Sequence, residues 1–194
     1  MKKMVIALVG NPGSGKDTFA DYVGNRLWET LRIKIAKFAF ADKPKEIVSN
    51  VYQVPIEYFY NRVWKNMPHE NLGGKTPRQA IQLIATEGFR NLIDKNTWSK
   101  YLVAQLLESR AEVNIVTDLR FPEEYAALMA LSPDITVHIV GIIRETEEKY
   151  NHESEHYVEE LLSKLPYSII NSGNIHEFEV AIDHWLFQKG KSIL

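Results

Sequence analysis

Gly10-Asn11-Pro12-Gly13-Ser14-Gly15-Lys16-Asp17-Thr18 combines three glycines, a lysine and two hydroxyls within nine residues. Glycines at 10, 13 and 15 let a backbone turn its N–H groups inward, which suits the oxygens of a phosphate. Lys16 can then reach between phosphates as a point charge. An apolar run, Met4–Val9, precedes the loop, and a helical pattern, Lys16–Leu31, follows it. Strand, glycine loop and helix in that order separate a phosphate cradle from an ordinary glycine turn, and the helix N-terminus adds partial positive charge. One position departs from the strict pattern. Asp17 stands where a hydroxyl normally follows the lysine, and Thr18 supplies the hydroxyl one place later. The cradle needs only backbone and Lys16, so it survives the change. Asp17 falls in the first helical turn, where negative charge suits the helix dipole. It is expected either to hold a magnesium-bound water or to position Thr18.

Two further stretches carry polar chemistry. The apolar Val113–Thr117 leads into Asp118-Leu119-Arg120. An acid at the end of a buried strand is placed to hold magnesium or its waters, and Arg120 can point into the same crevice. Asp118 can equally cap the helix that Pro122-Glu123-Glu124 announces, with Arg120 on the surface, and the two roles are compatible. Between Lys75 and Leu102, Thr76 with Gln79 makes a capping box and Pro77 fits the first helical position. Along the helix this predicts, Arg78, Gln82, Thr86 and Arg90 recur every fourth residue as one slowly drifting stripe. Arginines, an amide and a hydroxyl suit a phosphate and a base edge; spacing alone favours a solvated face.

These groups need elements to hold them. Continuous apolar runs at Met4–Val9, Ile33–Ala39, Val113–Thr117, Ile135–Ile143 and Tyr167–Ile170 alternate with helical patterns, the last at about Ile175–Gln188. That alternation predicts an α/β fold: a parallel sheet covered on both faces in three layers, with ligands beyond the carboxyl ends of the strands. About seventy residues separate the second and third strands, too many for one crossover helix. The expected organisation is therefore one domain with a core of 1–42 and 111–194 and an acceptor-binding insertion at about 43–110.

Bulk properties narrow the function. A chain of 194 residues supports one domain with a full core. Its net charge of -2 gives no basic field for a nucleic-acid polymer. It has no cysteine, which removes disulfide, thiolate-zinc and cysteine-nucleophile schemes and fits a reducing compartment. The basic, apolar N-terminus is too short and lacks the cleavage site of a secretion signal, and no segment approaches a membrane span. A cytoplasmic location is expected, that of the host if the gene is viral. Asn-Lys-x-Asp is absent, against a GTPase, and so is any protein-kinase signature. Tyr58, Phe59, Tyr60 and Trp64 fit a core or a homodimer surface, and the sequence leaves both open.

RQAIQLIATEGFRNLIDKNTW resembles the signature helix of the phage-type deoxynucleoside monophosphate kinases, approximately Arg-x-x-x-Gln-x-x-Gly-Thr-Glu-x-x-Arg with a Trp shortly after. Arg78, Gln82, Thr86, Glu87, Arg90 and Trp98 match, and Ala85 replaces the usual Gly. The resemblance continues in order along most of the chain. It includes the loop Gly15-Lys16-Asp17-Thr18, then Phe40–Lys45 with Lys43-Pro44 where Pro-Leu is usual, then Asp118 and Arg120. Arg144, His152-Glu153-Ser154-Glu155 and Asn171-Ser172-Gly173 complete it.

The resemblance implies a P-loop kinase fold with a five-stranded parallel core, the insertion, and a lid at about 144–157. It implies ATP at Asn11, Gly13, Ser14, Gly15, Lys16, Asp17 and Thr18, with Arg144, Asn171 and Gly173 completing that site. It assigns the acceptor phosphate to Arg78, Arg90 and Arg120, helped by Lys45 and, from the insertion, Lys65. Gln82 and Thr86 face the sugar or base, Trp98 packs either on the acceptor or in the core, and Glu124 joins the acceptor set beside Asp118. His152, Ser154 and Glu155 position the lid. Lys16, Asp118, Arg120 and Arg144 carry the transfer, with magnesium held at Asp17 and Thr18 through water. The implied reaction moves the γ-phosphoryl group of ATP to a deoxynucleoside monophosphate. Two alternatives stand beside it: a kinase for another small metabolite, and a nucleotide-binding module without turnover.

Overall fold

The computed structural model describes residues 3–145 and 153–193. In chain order the elements are β1 (Met4–Val9), α1 (Lys16–Leu31), β2 (Ile35–Phe38), α2 (Asp42–Tyr52) and α3 (Glu57–Tyr60). Two 3-10 turns, Trp64–Asn66 and Glu70–Leu72, lead to α4 (Pro77–Ile81), a π-helix (Gln82–Ile93) and α5 (Thr97–Glu108). Then come β3 (Val113–Val116), α6 (Pro122–Met129), β4 (Thr136–Ile143), α7 (Glu153–Lys164), β5 (Ser168–Ile170) and α8 (Ile175–Ile193). The chain forms two compact units, Met1–Ala39 with Val103–Leu194, and Phe40–Leu102.

In the first unit the strands form one sheet in the order β2-β3-β1-β4-β5, every pair parallel. All six residues of β1 are buried. A central strand flanked by neighbours and covered on both faces has no solvent side, which is why MVIALV is apolar without alternation. α1 buries Phe19, Ala20, Val23 and Leu27 into this core. α8 adds Phe178, Ile182 and Trp185, and the rings of Phe19 and Trp185 meet edge-on at 5.5 Å. Because every strand runs the same way, the loops after β1, β3, β4 and β5 leave from one edge of the sheet.

Asn114 is a polar residue inside that sheet, fully buried on β3. Its Oδ1 accepts from the Ser109 hydroxyl at 2.5 Å, and its Nδ2 donates to the Met4 carbonyl at 3.2 Å and the Ala111 carbonyl at 3.4 Å. The amide thus ties the start of β3 to the start of β1. Asn114→Ala would remove the acceptor of the half-buried Ser109 hydroxyl and the amide donor to the Met4 and Ala111 carbonyls, and would leave a space in the sheet. It is expected to cost about 2–3 kcal/mol, read as a lower urea midpoint at unchanged slope.

The second unit has a smaller core of Val48, Val54, Phe59, Leu72 and Ala80, with Ile56, Tyr58, Ile81 and Ile84 against it. The expected capping box is present: Thr76 Oγ1 accepts from Gln79 N–H at 3.1 Å, and Gln79 Oε1 accepts from Thr76 N–H at 2.9 Å. The expected continuous α-helix is not. After Ile81 the backbone widens, and Asp94 N–H bonds the Phe89 carbonyl, five residues back, at 2.9 Å. Trp98 stabilises the wider form by donating its indole N–H to the Ala85 carbonyl at 2.9 Å. Hydropathy periodicity does not distinguish the two windings over a dozen residues, so the sequence reads as α throughout.

Candidate phosphate and acceptor sites

The phosphate loop hangs between the end of β1 and the start of α1. Gly15 is the residue before the helix and holds φ 106 and ψ 16, a backbone open to glycine. A Cβ there would lie 2.7 Å from Asn171 Nδ2 and 3.0 Å from Phe178 Cε1. At Gly10 a Cβ would come within 2.5 Å of the Ile142 carbonyl, so the loop leaves β1 pressed against β4. The α1 N-terminus has no side-chain cap, which keeps its end available to an anion. Lys16 Nζ donates to the Gly10 and Asn11 carbonyls at 2.7 and 2.8 Å, curling over the loop. Ser14 Oγ and Asn11 Oδ1 are buried without a hydrogen-bond partner, two polar atoms inside the loop. Asp17 is exposed on the first turn of α1, beside the half-buried Thr18.

Asn171 closes the loop from behind. It is buried after β5, its N–H donates to the Ile143 carbonyl at 2.7 Å, and its Nδ2 donates to the Ser14 carbonyl at 2.8 Å. Turn chemistry made this residue visible in the sequence; its grip on Ser14, 157 residues away, has no local signature. Gly173 stands just before a reciprocal cap of α8, in which Asn174 N–H donates to Glu177 Oε2 and Glu177 N–H to Asn174 Oδ1. Arg144 is exposed at the end of β4. His152, with the rest of 146–152 of the expected lid, lies outside the described residues, as do the side chains of Ser154 and Glu155.

Asp118 is pinned by its neighbours. Thr117 N–H bonds the Phe38 carbonyl at 3.0 Å, and Leu119 N–H bonds the Leu8 carbonyl at 3.2 Å. The residue between them therefore sits at the ends of β2 and β1 together. Glu124, expected to touch the acceptor, is instead buried under this turn. Its Oε2 accepts from Arg120 N–H at 2.9 Å and Phe121 N–H at 3.0 Å. Burial pushes its carboxyl up to about 8, and the charge of Asp118 adds to the effect; the two N–H groups and the Arg120 guanidinium oppose it. At neutral pH Glu124 is thus largely protonated and shapes the segment that presents Arg120.

The acceptor candidates belong to the second unit. Arg78, Gln82 and Arg90 are half-buried and Thr86 is buried. The π-helix changes their alignment. Four α-helical residues overshoot a full turn by about 40°, whereas four π-helical residues, at roughly 4.4 per turn, fall short by about 30°. The steps from Gln82 to Thr86 to Arg90 therefore undo the overshoot from Arg78 to Gln82, and the stripe stays narrow. Of the two readings open for Trp98, the structure has the core one: 8% exposed, bonded to Ala85, its ring 5.1 Å from that of Phe89. It supports the helix that carries the stripe. Lys65 lies on a short 3-10 turn, half-buried. Lys45 Nζ lies 4.0 Å from the centre of the Tyr60 ring and 3.3 Å from Asp42 Oδ1. Tyr60 escaped sequence reasoning because α3 brings it to Lys45 on α2 from 15 residues away without any motif spacing, whereas Asp42 stands at the helical i, i+3 spacing from Lys45.

A parallel five-stranded sheet with a glycine-lysine loop between its central strand and first helix is the P-loop kinase fold. Over the whole chain the structure is similar to a dephospho-CoA kinase from Campylobacter jejuni, with a TM-score of 0.50 and 17% identity, covering 100% of both chains. In sequence it is 28% identical over 105 residues to the deoxynucleoside-5'-monophosphate kinase of Escherichia phage T5, covering 54% of this chain and 40% of that protein. It is 30% identical over 92 residues to a provisionally named deoxynucleotide monophosphate kinase of Acanthamoeba polyphaga mimivirus, covering 47% of this chain and 45% of that protein. Those matches span less than half the length of either relative. No protein-family model matches the chain. No described helix is long and apolar enough to cross a membrane.

Proposed function

We propose that this chain is an ATP-dependent kinase that moves the γ-phosphoryl group of ATP to the 5′-phosphate of a deoxynucleoside monophosphate, giving a diphosphate and ADP. The observation that carries the reading is the convergence of the phosphate loop, Asp118 and Arg144 at the carboxyl ends of adjacent strands. The names of the phage T5 and mimivirus relatives support the choice of acceptor.

The nucleophile is an oxygen of a phosphate whose second pKa is near 6, so it is largely ionised at neutral pH and needs no base. The reaction instead needs repulsion between two anions cancelled and the reactants aligned. Loop N–H groups and the α1 N-terminus bind the donor phosphates, and Lys16 leaves its two carbonyls to lie along them. Arg144 stabilises charge on the group in transfer. Arg78, Arg90 and Arg120, with Lys45 and Lys65, bind the acceptor phosphate, and Gln82 and Thr86 face its sugar or base. Thr18, Asp17 and Asp118 offer hard oxygen donors of the kind magnesium takes together with phosphates. When bound, the ion neutralises developing charge on the β- and γ-oxygens.

Incubation with ATP, magnesium and a panel of deoxynucleoside monophosphates tests the reading. ADP and diphosphate are expected with at least one acceptor. Arg90→Ala is expected to lower kcat/KM for that acceptor by about a hundredfold or more while leaving KM for ATP within a few-fold. ADP formation with a hydroxyl compound and with no monophosphate would establish the metabolite-kinase alternative, and no turnover with any acceptor the binding module.

A further inference from the structure

The segment that opens the second unit carries two lysines, and they part company. Residues two apart on a helix face nearly opposite ways. On α2, Lys43 Nζ pairs with Glu46 at 2.8 Å and lies 5.9 Å from the Tyr101 ring centre. Lys45 goes to the other side, where its side chain keeps only 17% of its exposure. There the ammonium lies against the Tyr60 ring face at 4.0 Å, and its partner Asp42 Oδ1 is 3.3 Å away. The Tyr60 hydroxyl donates to that same oxygen at 2.8 Å. The carboxylate oxygen is thus shared: its shorter bond goes to tyrosine and its longer contact to lysine.

This arrangement does two things to Lys45. The ring face attracts the cation without neutralising it, because a quadrupole carries no net charge. The hydroxyl draws on the carboxylate, so Asp42 steadies the lysine from one side with a longer contact than a dedicated ion pair makes. A flexible four-carbon stem is thereby held in one place, its ammonium between a ring face and a carboxylate oxygen.

We infer that Tyr60 is a positioning residue: together with Asp42 it holds the Lys45 ammonium in place for the acceptor phosphate. The inference rests on the kinase reading above for the identity of the anion, and on α2 and α3 alone for the positioning.

The test is a double-mutant cycle read as KM against kcat for the best monophosphate acceptor. Tyr60→Leu removes ring and hydroxyl and is expected to raise acceptor KM about threefold to fivefold, the scale of an exposed cation–π contact, with kcat and KM for ATP within twofold. Tyr60→Phe keeps the ring face and is expected to recover most of the loss. In a Lys45→Met background, Tyr60→Leu is expected to have no further effect. An undiminished effect in that background, or equal acceptor KM for Tyr60→Leu and wild type, would overturn the inference. A second readout is independent of activity. In the protein without nucleotide, the Lys45 Hε protons are expected upfield under the Tyr60 ring current, and Tyr60→Leu should return them to ordinary lysine positions. Unshifted protons in the wild type would refute the positioning. Shifted protons in a protein that phosphorylates no monophosphate would instead leave the positioning standing and refute the kinase reading.

Discussion

Gly15→Ala is expected to abolish measurable ATP binding and to lower stability by about 2–4 kcal/mol. Two costs combine. The residue holds φ 106, a conformation that strains any L side chain by about 1–3 kcal/mol. The new methyl would also meet Asn171 Nδ2 at 2.7 Å and the Phe178 ring at 3.0 Å. Neither neighbour has room to yield cheaply. Asn171 is held by the Ser14 and Ile143 carbonyls, and Phe178 is 2% exposed in the core. The loop itself must shift, and the cradle N–H groups shift with it. Calorimetric titration with ATP and a urea melt check the two parts separately. A variant that melts like wild type and binds ATP normally would show that the loop is far softer than its contacts imply.

Stability is expected to fall as pH rises from 5 to 9, and Glu124 is the reason. Its carboxyl ionises near 8 in the folded chain against an ordinary value of 4.5. A group whose folded pKa is raised binds more protons in the folded state, so its contribution is complete below pH 4.5 and is lost as pH climbs through 8. The loss between pH 5 and pH 9 is on the order of 4 kcal/mol. Glu124→Gln keeps an oxygen for the Arg120 and Phe121 N–H groups but has no proton to lose. Its unfolding free energy should be flatter over that window, so the variant gains on wild type as pH rises. Urea melts at four or five pH values are sufficient, and parallel curves for the two proteins would contradict the assignment.

Much of the first unit was readable because its signals are local. The five strands and α1 lie within two residues of where apolar runs and the glycine loop put them. Continuous burial leaves continuous apolar sequence, and the sheet edge that gathers the loops follows from parallel pairing. Three features were not readable, each for a physical reason. Glu124 reads as an acid beside Asp118, but its role depends on burial under a turn, which composition does not record. Trp98 matches a signature position and could be core or substrate-facing by sequence; what places it in the core is a bond from its indole to a carbonyl thirteen residues back, which has no local signature. Tyr60 meets Lys45 through the packing of α2 and α3, and no spacing rule connects those two; Asp42, three residues before Lys45 on α2, is the part of the arrangement that helical spacing does show. The sequence showed which residues carry charge at the candidate sites; it did not show which of them are held and by what.

The π-winding has a further consequence. Across the eight steps from Gln82 to Arg90, rewinding as an α-helix would rotate Arg90 by roughly 140° about the axis relative to Gln82. The angular separation of Arg90 from Arg78, which precedes Gln82 by one turn, is therefore a torsional quantity, fixed by which carbonyl each N–H chooses. Chain length matters in the same way, since inserting or deleting one residue between 82 and 90 would turn one arginine away from the other with both side chains intact. Backbone register in this stretch decides where its polar side chains point as much as the identity of any residue on it.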